Sequence, residues 1–217
     1  VNPEAGLSGI CAGLRQEFEA KNHARETALR ACREIVQLSA RAIRATHRQE
    51  SAEADALMES AAQAARELQH SLAEHPDLAA AGYVHDALKE LVEARVVAAI
   101  VRKDALPEPD ALGVGPATYL NGLAEAASEC RRYVLDRMKE GALSEADRIL
   151  SAMDAIYAEL ITFDFPDALT GGLRRTTDAL RPVLERTRGD VTLAYQNEAL
   201  ANLLRETSER LSSRQGA

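Results

Sequence analysis

Tryptophan is missing from this chain, and aromatic residues make up only 4 % of its 217 positions. Phe18, Tyr83, Tyr119, Tyr133, Tyr157, Phe163, Phe165 and Tyr195 are scattered, which excludes the clustered stacking platform that common RNA-binding modules offer to unpaired bases. Cysteine is scarcer still. Cys11, Cys32 and Cys130 are odd in number and show no Cys-x-x-Cys spacing, so neither a disulfide framework nor a zinc site is implied, and a reducing cytoplasm fits best. No apolar run approaches the roughly 20 residues that span a bilayer, and no basic stretch followed by an apolar one reads as a leader. Membrane insertion and secretion are therefore not expected. Runs of β-branched residues are short, which removes the main signal for sheet.

What is abundant is alanine, leucine, glutamate and arginine, all of them residues that favour helix. The expected fold class is all-α, a seven-helix antiparallel bundle forming one domain over residues 1–217. Hydrophobic spacing and breaks place the helices at about residues 14–47, 52–72, 77–103, 116–140 and 144–163, with a sixth kinked near Gly171-Gly172 and Pro182. Gly189 separates it from a seventh that ends near Leu211, and only the last few residues read as disordered. Pro107, Pro109, Gly113 and Gly115 mark the clearest loop, Pro116 suits the first turn of the next helix, and Gly141 suits its C-terminal cap.

The formal net charge of -8 argues at first sight against a polyanionic partner. The charge is segregated, however. Between residues 15 and 48 eight Lys or Arg face four Glu, so the first helix is basic while the rest is acidic. Leu29, Cys32, Val36 and Ile43 mark its apolar side, and Arg30, Arg33, Arg41, Arg44 and Arg48 form a separate stripe. Such a stripe suits a nucleic-acid backbone, and it equally suits a solvated face paired with glutamates.

The most informative segment is Leu88-Lys89-Glu90-Leu91-Val92-Glu93-Ala94, followed by Glu125 and Glu129. Residues three or four apart on a helix lie one above the other, so each segment carries two carboxylates on one face. Asp86, Glu90, Glu93, Val97 and Ile100 form a stripe that changes from acidic to apolar, which puts the acids at the margin of a buried region. Four acids gathered there repel one another and resist desolvation, and a hard divalent cation relieves both. Spacing alone does not require this, since glutamate pairs usually face water. Gly122, one turn before Glu125, costs helix stability unless a close helix approach repays it. His85 nearby reads either as a metal or phosphate contact or as an ordinary polar residue.

Four stretches resemble the translin/TRAX family, and its TRAX branch more than translin. They are Arg25-Glu26 with Leu29-Arg30-Ala31-Cys32-Arg33-Glu34 through Ser39, Ile43 and His47-Arg48; the acidic segment 88–94, whose acids translin lacks; Tyr119-Leu120-Asn121-Gly122-Leu123-Ala124-Glu125 with Ser128-Glu129-Cys130-Arg131-Arg132; and Leu173-Arg174-Arg175 through Leu180, Leu184-Glu185 and Arg188-Gly189. They keep the family's order and compatible distances over residues 25–189. The resemblance implies a seven-helix fold, a closed homo-octamer enclosing single-stranded or small RNA, and endoribonuclease activity dependent on Mg²⁺ or Mn²⁺. By position it implies Glu90, Glu93, Glu125 and Glu129 as metal ligands and catalytic acids, with the arginine stripe holding the RNA backbone. Two positions depart from the family pattern: Thr118 stands where Asp is common, and Glu125 replaces a shorter Asp.

Three other readings compete. The same fold can bind RNA or single-stranded DNA with a degenerate, inactive site. Acid pairs on adjacent helices also occur in all-α nucleotide pyrophosphohydrolases, although here the second pair is spaced by four rather than three. A ferritin-like di-iron bundle lacks its Glu-x-x-His pairs.

Overall fold

A computed structural model describes residues 3–215 of the protein. Among them no strand occurs, and helix follows helix: α1 (Pro3–His47), α2 (Ser51–Ser71), α3 (Pro76–Ala79), α4 (Gly82–Arg102), α5 (Pro109–Leu112), α6 (Pro116–Lys139), α7 (Leu143–Leu160), α8 (Asp167–Thr170) and α9 (Leu173–Gln215). Three of these, α3, α5 and α8, are single turns in the links between six long helices. The all-α expectation holds, and Pro116 opens α6 as anticipated. Gly141 follows the end of α6 with φ +77°, and the bonds from Gly141 N to Met138 O and from Ala142 N to Arg137 O close a C-terminal cap there. No described helix is long and apolar enough to cross a membrane. Residues 216–217, part of the tail read from sequence as disordered, lie outside the described residues.

Residue pairings fix the direction of each long helix. Arg102 meets Asp55 and Arg95 meets Met58, so α2 and α4 are antiparallel. Arg188 meets Asp154 and Arg181 meets Tyr157, so α7 and α9 are antiparallel as well. Between α4 and α6, by contrast, His85 pairs with Thr118 and Lys89 with Glu125, and these two helices run the same way. The molecule thus consists of two up-down-up units, α1-α2-α4 and α6-α7-α9, joined side by side through α4 and α6. A parallel junction needs a connection that returns along the bundle, and residues 103–115 supply it. Tyr119 Oη donates to Pro107 O and Gln69 Nε2 to Gly113 O, which tie that link down.

Helix α4 lies at the centre, against α1, α2, α6 and α7. It is therefore buried on several sides, with Val84, Ala87, Leu88, Leu91, Val92, Val96, Val97 and Ile100 all in the core. This explains the near-continuous apolar run at its end, which a one-sided helix does not need. On α1 the buried stripe is Ala28, Cys32, Ile35, Ser39 and Ala42. It is rotated from the sequence-based one, so Val36 faces outward at 36 % exposure.

The predicted break at Gly189 is not observed. Leu173, Thr177, Leu180, Leu184, Thr187 and Val191 form one buried stripe at steps of four and three, and packing on both sides of Gly189 carries α9 through it. Pro182 lies on the exposed side of the same helix, where solvent reaches the carbonyl that loses its donor.

Gly122 explains how α4 and α6 come so close. A Cβ placed there falls 2.6 Å from Val92 Cβ and 3.2 Å from the backbone oxygen of Lys89. Helix backbone meets side chain with no room for a methyl group. Gly122→Ala is expected to lower stability by about 1–3 kcal/mol through overpacking, whereas Gly189→Ala, with nothing within 4 Å, should raise it by up to about 1 kcal/mol. Urea unfolding of both variants checks the contrast; equal effects would refute the close-approach account.

Candidate metal centre

The junction of α4 and α6 is where the acids meet. Just beyond the Gly122 contact, one carboxylate oxygen each from Glu90, Glu93 and Glu125 lie within 4.8 Å of one another. Two come from successive turns of α4 and one from α6, so the cluster exists only because the two helices run parallel in this register. Lys89 Nζ sits 2.8 Å from Glu125 Oε1 and 3.7 Å from Asp86, whose side chain is otherwise 75 % exposed and stays outside the cluster. Glu129, one turn beyond Glu125, takes a different partner: its Oε1 is 2.7 Å from Nε2 of His47, at the last residue of α1.

The electrostatics record the cost of this arrangement. Burial, reinforced by the negative charges of Glu90, Glu125 and Glu129, pushes the Glu93 carboxyl up to about 8, against partial relief from Lys89. Glu90 is raised for the same reason, burial first and the Glu125 charge second. At Lys89 burial acts to lower the ammonium pKa, but the hydrogen bond and charge of Glu125 outweigh it and the net shift is upward. Behind the acids, burial drives the Cys130 thiol up to about 12, with Glu129 and Glu93 adding to the effect. That cysteine is a packed apolar group and no nucleophile.

The donor set tests which ion fits. All three clustered groups are carboxylates, hard oxygen donors that suit Mg²⁺ or Mn²⁺, and among the described residues no thiol or imidazole joins them. Oxygens bound at about 2.1 Å from one such ion lie at most about 4.2 Å apart, so only small side-chain rotations separate the trio from a ligand arrangement. The residues present fit a hard divalent cation.

No family model matches the chain. It is 31 % identical over 195 residues to an uncharacterised protein of Methanocaldococcus jannaschii, covering 88 % of this chain and 86 % of that one. Among solved structures it is similar to the Archaeoglobus C3PO, a translin/TRAX protein, with 33 % identity, a TM-score of 0.78, and coverage of 86 % of this chain and 97 % of that one. The same C3PO in a complex with duplex RNA gives 32 % identity, a TM-score of 0.76 and the same coverage. The chain belongs to the translin/TRAX family. A further C3PO structure, apo-NeC3PO, is 19 % identical at a TM-score of 0.77 over 85 % of this chain and 96 % of that one, and shares the fold.

For this translin/TRAX protein the structure brings together Glu90, Glu93 and Glu125 and sets Glu129 beside them in the grip of His47. Thr118, one of the two departures from the family pattern, is buried and hydrogen-bonded at 2.8 Å to His85 Nδ1. The arginine stripe is exposed along α1. Arg33 Nε donates to Leu29 O, Arg30 to Thr27, and Arg48 pairs with Glu50 and Glu53, while Arg41 and Arg44 make no salt bridge among the described residues. Two residues escaped the sequence reading. Lys89 stands inside the acidic motif, where its place among the carboxylates was visible but its partner was not. His47 reaches Glu129 across 82 positions, a contact that spacing does not encode.

The Glu93 shift has a thermodynamic consequence in metal-free protein. Its folded value of about 8 lies above the ordinary 4.5, so between them the folded state holds a proton that the unfolded state has lost. The stabilising contribution is therefore complete below the unfolded value and disappears as pH rises through the folded one. In a chelator the thermal midpoint should fall as pH rises from about 5 to about 8, Glu93→Gln should remove most of that slope, and excess Mn²⁺ should raise the wild-type midpoint most at the upper end. A flat profile in scanning calorimetry would contradict the electrostatic picture.

Proposed function

We propose that this protein is an endoribonuclease that cleaves single-stranded or small RNA with Mg²⁺ or Mn²⁺ held by Glu90, Glu93 and Glu125. The observation that carries this reading is the trio of half-buried carboxylates within 4.8 Å, strained enough to raise Glu93 to about 8. A cluster held at such cost is better suited to a cation than to solvent. A bound divalent ion supplies Lewis-acid chemistry: it lowers the pKa of an attacking water, polarises a phosphoryl oxygen and stabilises charge on the leaving oxygen.

The chain's own residues do the rest. Glu90, Glu93 and Glu125 would hold that ion at the margin of the core. Lys89 neutralises part of the cluster and steadies Glu125. Glu129 stands outside the trio with one oxygen on His47, which leaves its other oxygen to accept the proton of the attacking water, so that no nucleophilic side chain is needed. Arg30, Arg33, Arg41, Arg44 and Arg48 hold the backbone by charge, and the scattered aromatics leave base identity largely unread. The RNA in the Archaeoglobus C3PO complex is a duplex, which makes short duplex RNA a second substrate form to offer.

Surface that the chain leaves uncovered supports an assembly. Leu7, Ile10, Leu14 and Phe18 lie at helical spacing on the early part of α1, each at least 50 % exposed, and Leu193, Leu200, Leu204 and Leu211 do the same on the late part of α9. Stripes of this kind on two projecting helices suit contact with further copies, and a homo-octamer enclosing the RNA is the proposed assembly. Light scattering at micromolar concentration tests it; a monomer would count against enclosure.

One observation favours a second reading. The Lys89 ammonium already sits against Glu125, a resident cation that suits an RNA-binding protein without catalysis. Labelled RNA incubated with wild type, Glu90→Gln, Glu93→Gln and Glu125→Gln in Mg²⁺, in Mn²⁺ and in EDTA separates the two. Each variant is expected to lose at least about 100-fold in kcat while still binding RNA. Binding without cleavage by the wild type in either metal would select the second reading.

A further inference from the structure

Among the four acids Glu129 is singled out by its partner. The His47 side chain is only 3 % exposed, its Nε2 lies 2.7 Å from Glu129 Oε1, and its Nδ1 is buried without a hydrogen-bond partner among the described residues. A buried imidazole that leaves one nitrogen unsatisfied is costly, and it persists where something else dictates its position. Here the chain itself dictates it. Helix α1 ends directly after His47 in a capping motif, with Gln49 N bonded to Thr46 O and Glu50 N to Ala45 O. That motif needs a left-handed residue, usually glycine, and the chain instead places Gln49 there at φ 62°.

Gln49 has a compensating role. Its side-chain amide faces Arg137, and assigning the amide oxygen to that side, as two guanidinium donors require, gives bonds accepted from Arg137 Nη1 and Nη2 at 2.8 and 3.0 Å. The Arg137 guanidinium in turn lies 4.8 Å above the Tyr133 ring, and that ring is 6.3 Å from His47. Two contacts therefore pin the end of α1 onto α6, one at Arg137 and one at Glu129. A helix terminus held at two points presents His47 in one orientation.

We infer that His47 is a positioning residue, delivered by the strained terminus of α1, that holds the Glu129 carboxylate apart from the metal-binding trio and sets its aim. This rests on the reading of Glu90, Glu93 and Glu125 as the metal centre. It divides the four acids into three ligands and one oriented carboxylate, and it makes α1 part of the site rather than only an RNA-facing surface.

The test uses full-length protein. His47→Leu removes the contact, and His47→Gln keeps a donor at nearly the place of Nε2. Cleavage of labelled RNA in Mn²⁺ gives kcat and KM, titration calorimetry gives the Mn²⁺ affinity, and calorimetric scans report folding. His47→Leu is expected to lower kcat by about 10- to 100-fold, with KM and Mn²⁺ affinity each within about threefold of wild type. His47→Gln should recover most of the loss. The double variant His47→Leu/Glu129→Gln should be no slower than Glu129→Gln by more than about twofold, because His47 acts through Glu129.

If His47→Leu retains wild-type kcat, or if the two losses multiply, the inference is overturned. Loss of Mn²⁺ affinity together with a collapsed melting transition would mark a structural role and overturn it as well. Should the leucine variant not fold, His47→Gln against the shorter His47→Asn decides: comparable rates refute positioning, and a fast glutamine with a slow asparagine supports it. Wild-type cleavage by Glu93→Gln would instead bring down the metal-centre reading itself, an outcome distinct from failure at His47.

Discussion

Helices α4 and α6 meet at Gly122, where the side chain of Val92 occupies the space a β-carbon would need. That contact sets the distance between the helices, and because they run parallel it also sets their register. Glu90 and Glu93 then face Glu125 one turn further on. Widening the junction by a methyl group would relax the repulsion among these carboxylates and dissolve the cluster. The site is thus a by-product of backbone proximity, and the apolar remainder of α4 holds that proximity in place. Val96, Val97 and Ile100 anchor the helix on several sides, so the acids at its margin cannot swing away by tilting it.

The two three-helix units divide the work around this junction. The first supplies the central helix α4 and, through the end of α1, the His47 contact. The second supplies α6 and supports it with α7 and α9, where Arg131 joins Thr187 and Asp190. Neither unit contains the site alone. Charge is arranged to match: Lys89 offsets part of the acidic cluster from within, while the arginines of α1 stay on its solvent face. An acidic protein can in this way keep a basic surface for a polyanion and still concentrate negative charge where a cation is wanted.

Membership of the translin/TRAX family gives the projecting parts of α1 and α9 their context. Exposed leucines at helical spacing on both are more apolar surface than a lone chain in water tolerates comfortably. The monomer's architecture and its proposed oligomer are therefore linked by the same helices, since the residues that leave the core of one chain are those available to another.

Much of this was legible in the residues. The short β-branched runs, the helix-forming composition and the proline and glycine breaks determine an all-α chain, because those signals act over a few neighbouring positions. The spacing of Glu90 with Glu93 and of Glu125 with Glu129 determines that each pair shares a helix face, for the same local reason. What the residues alone leave open depends on pairing between distant segments. Gly189 reads as a break, yet the buried stripe from Leu173 to Val191 carries α9 through it, because packing free energy outweighs one glycine's preference. Val36 reads as core and faces outward, because the partners of α1 set its rotation. Only the tertiary structure sends Glu129 to His47 and the other three acids to one another. Helical periodicity says which side of a helix a group is on, and it carries no information about which other helix lies there.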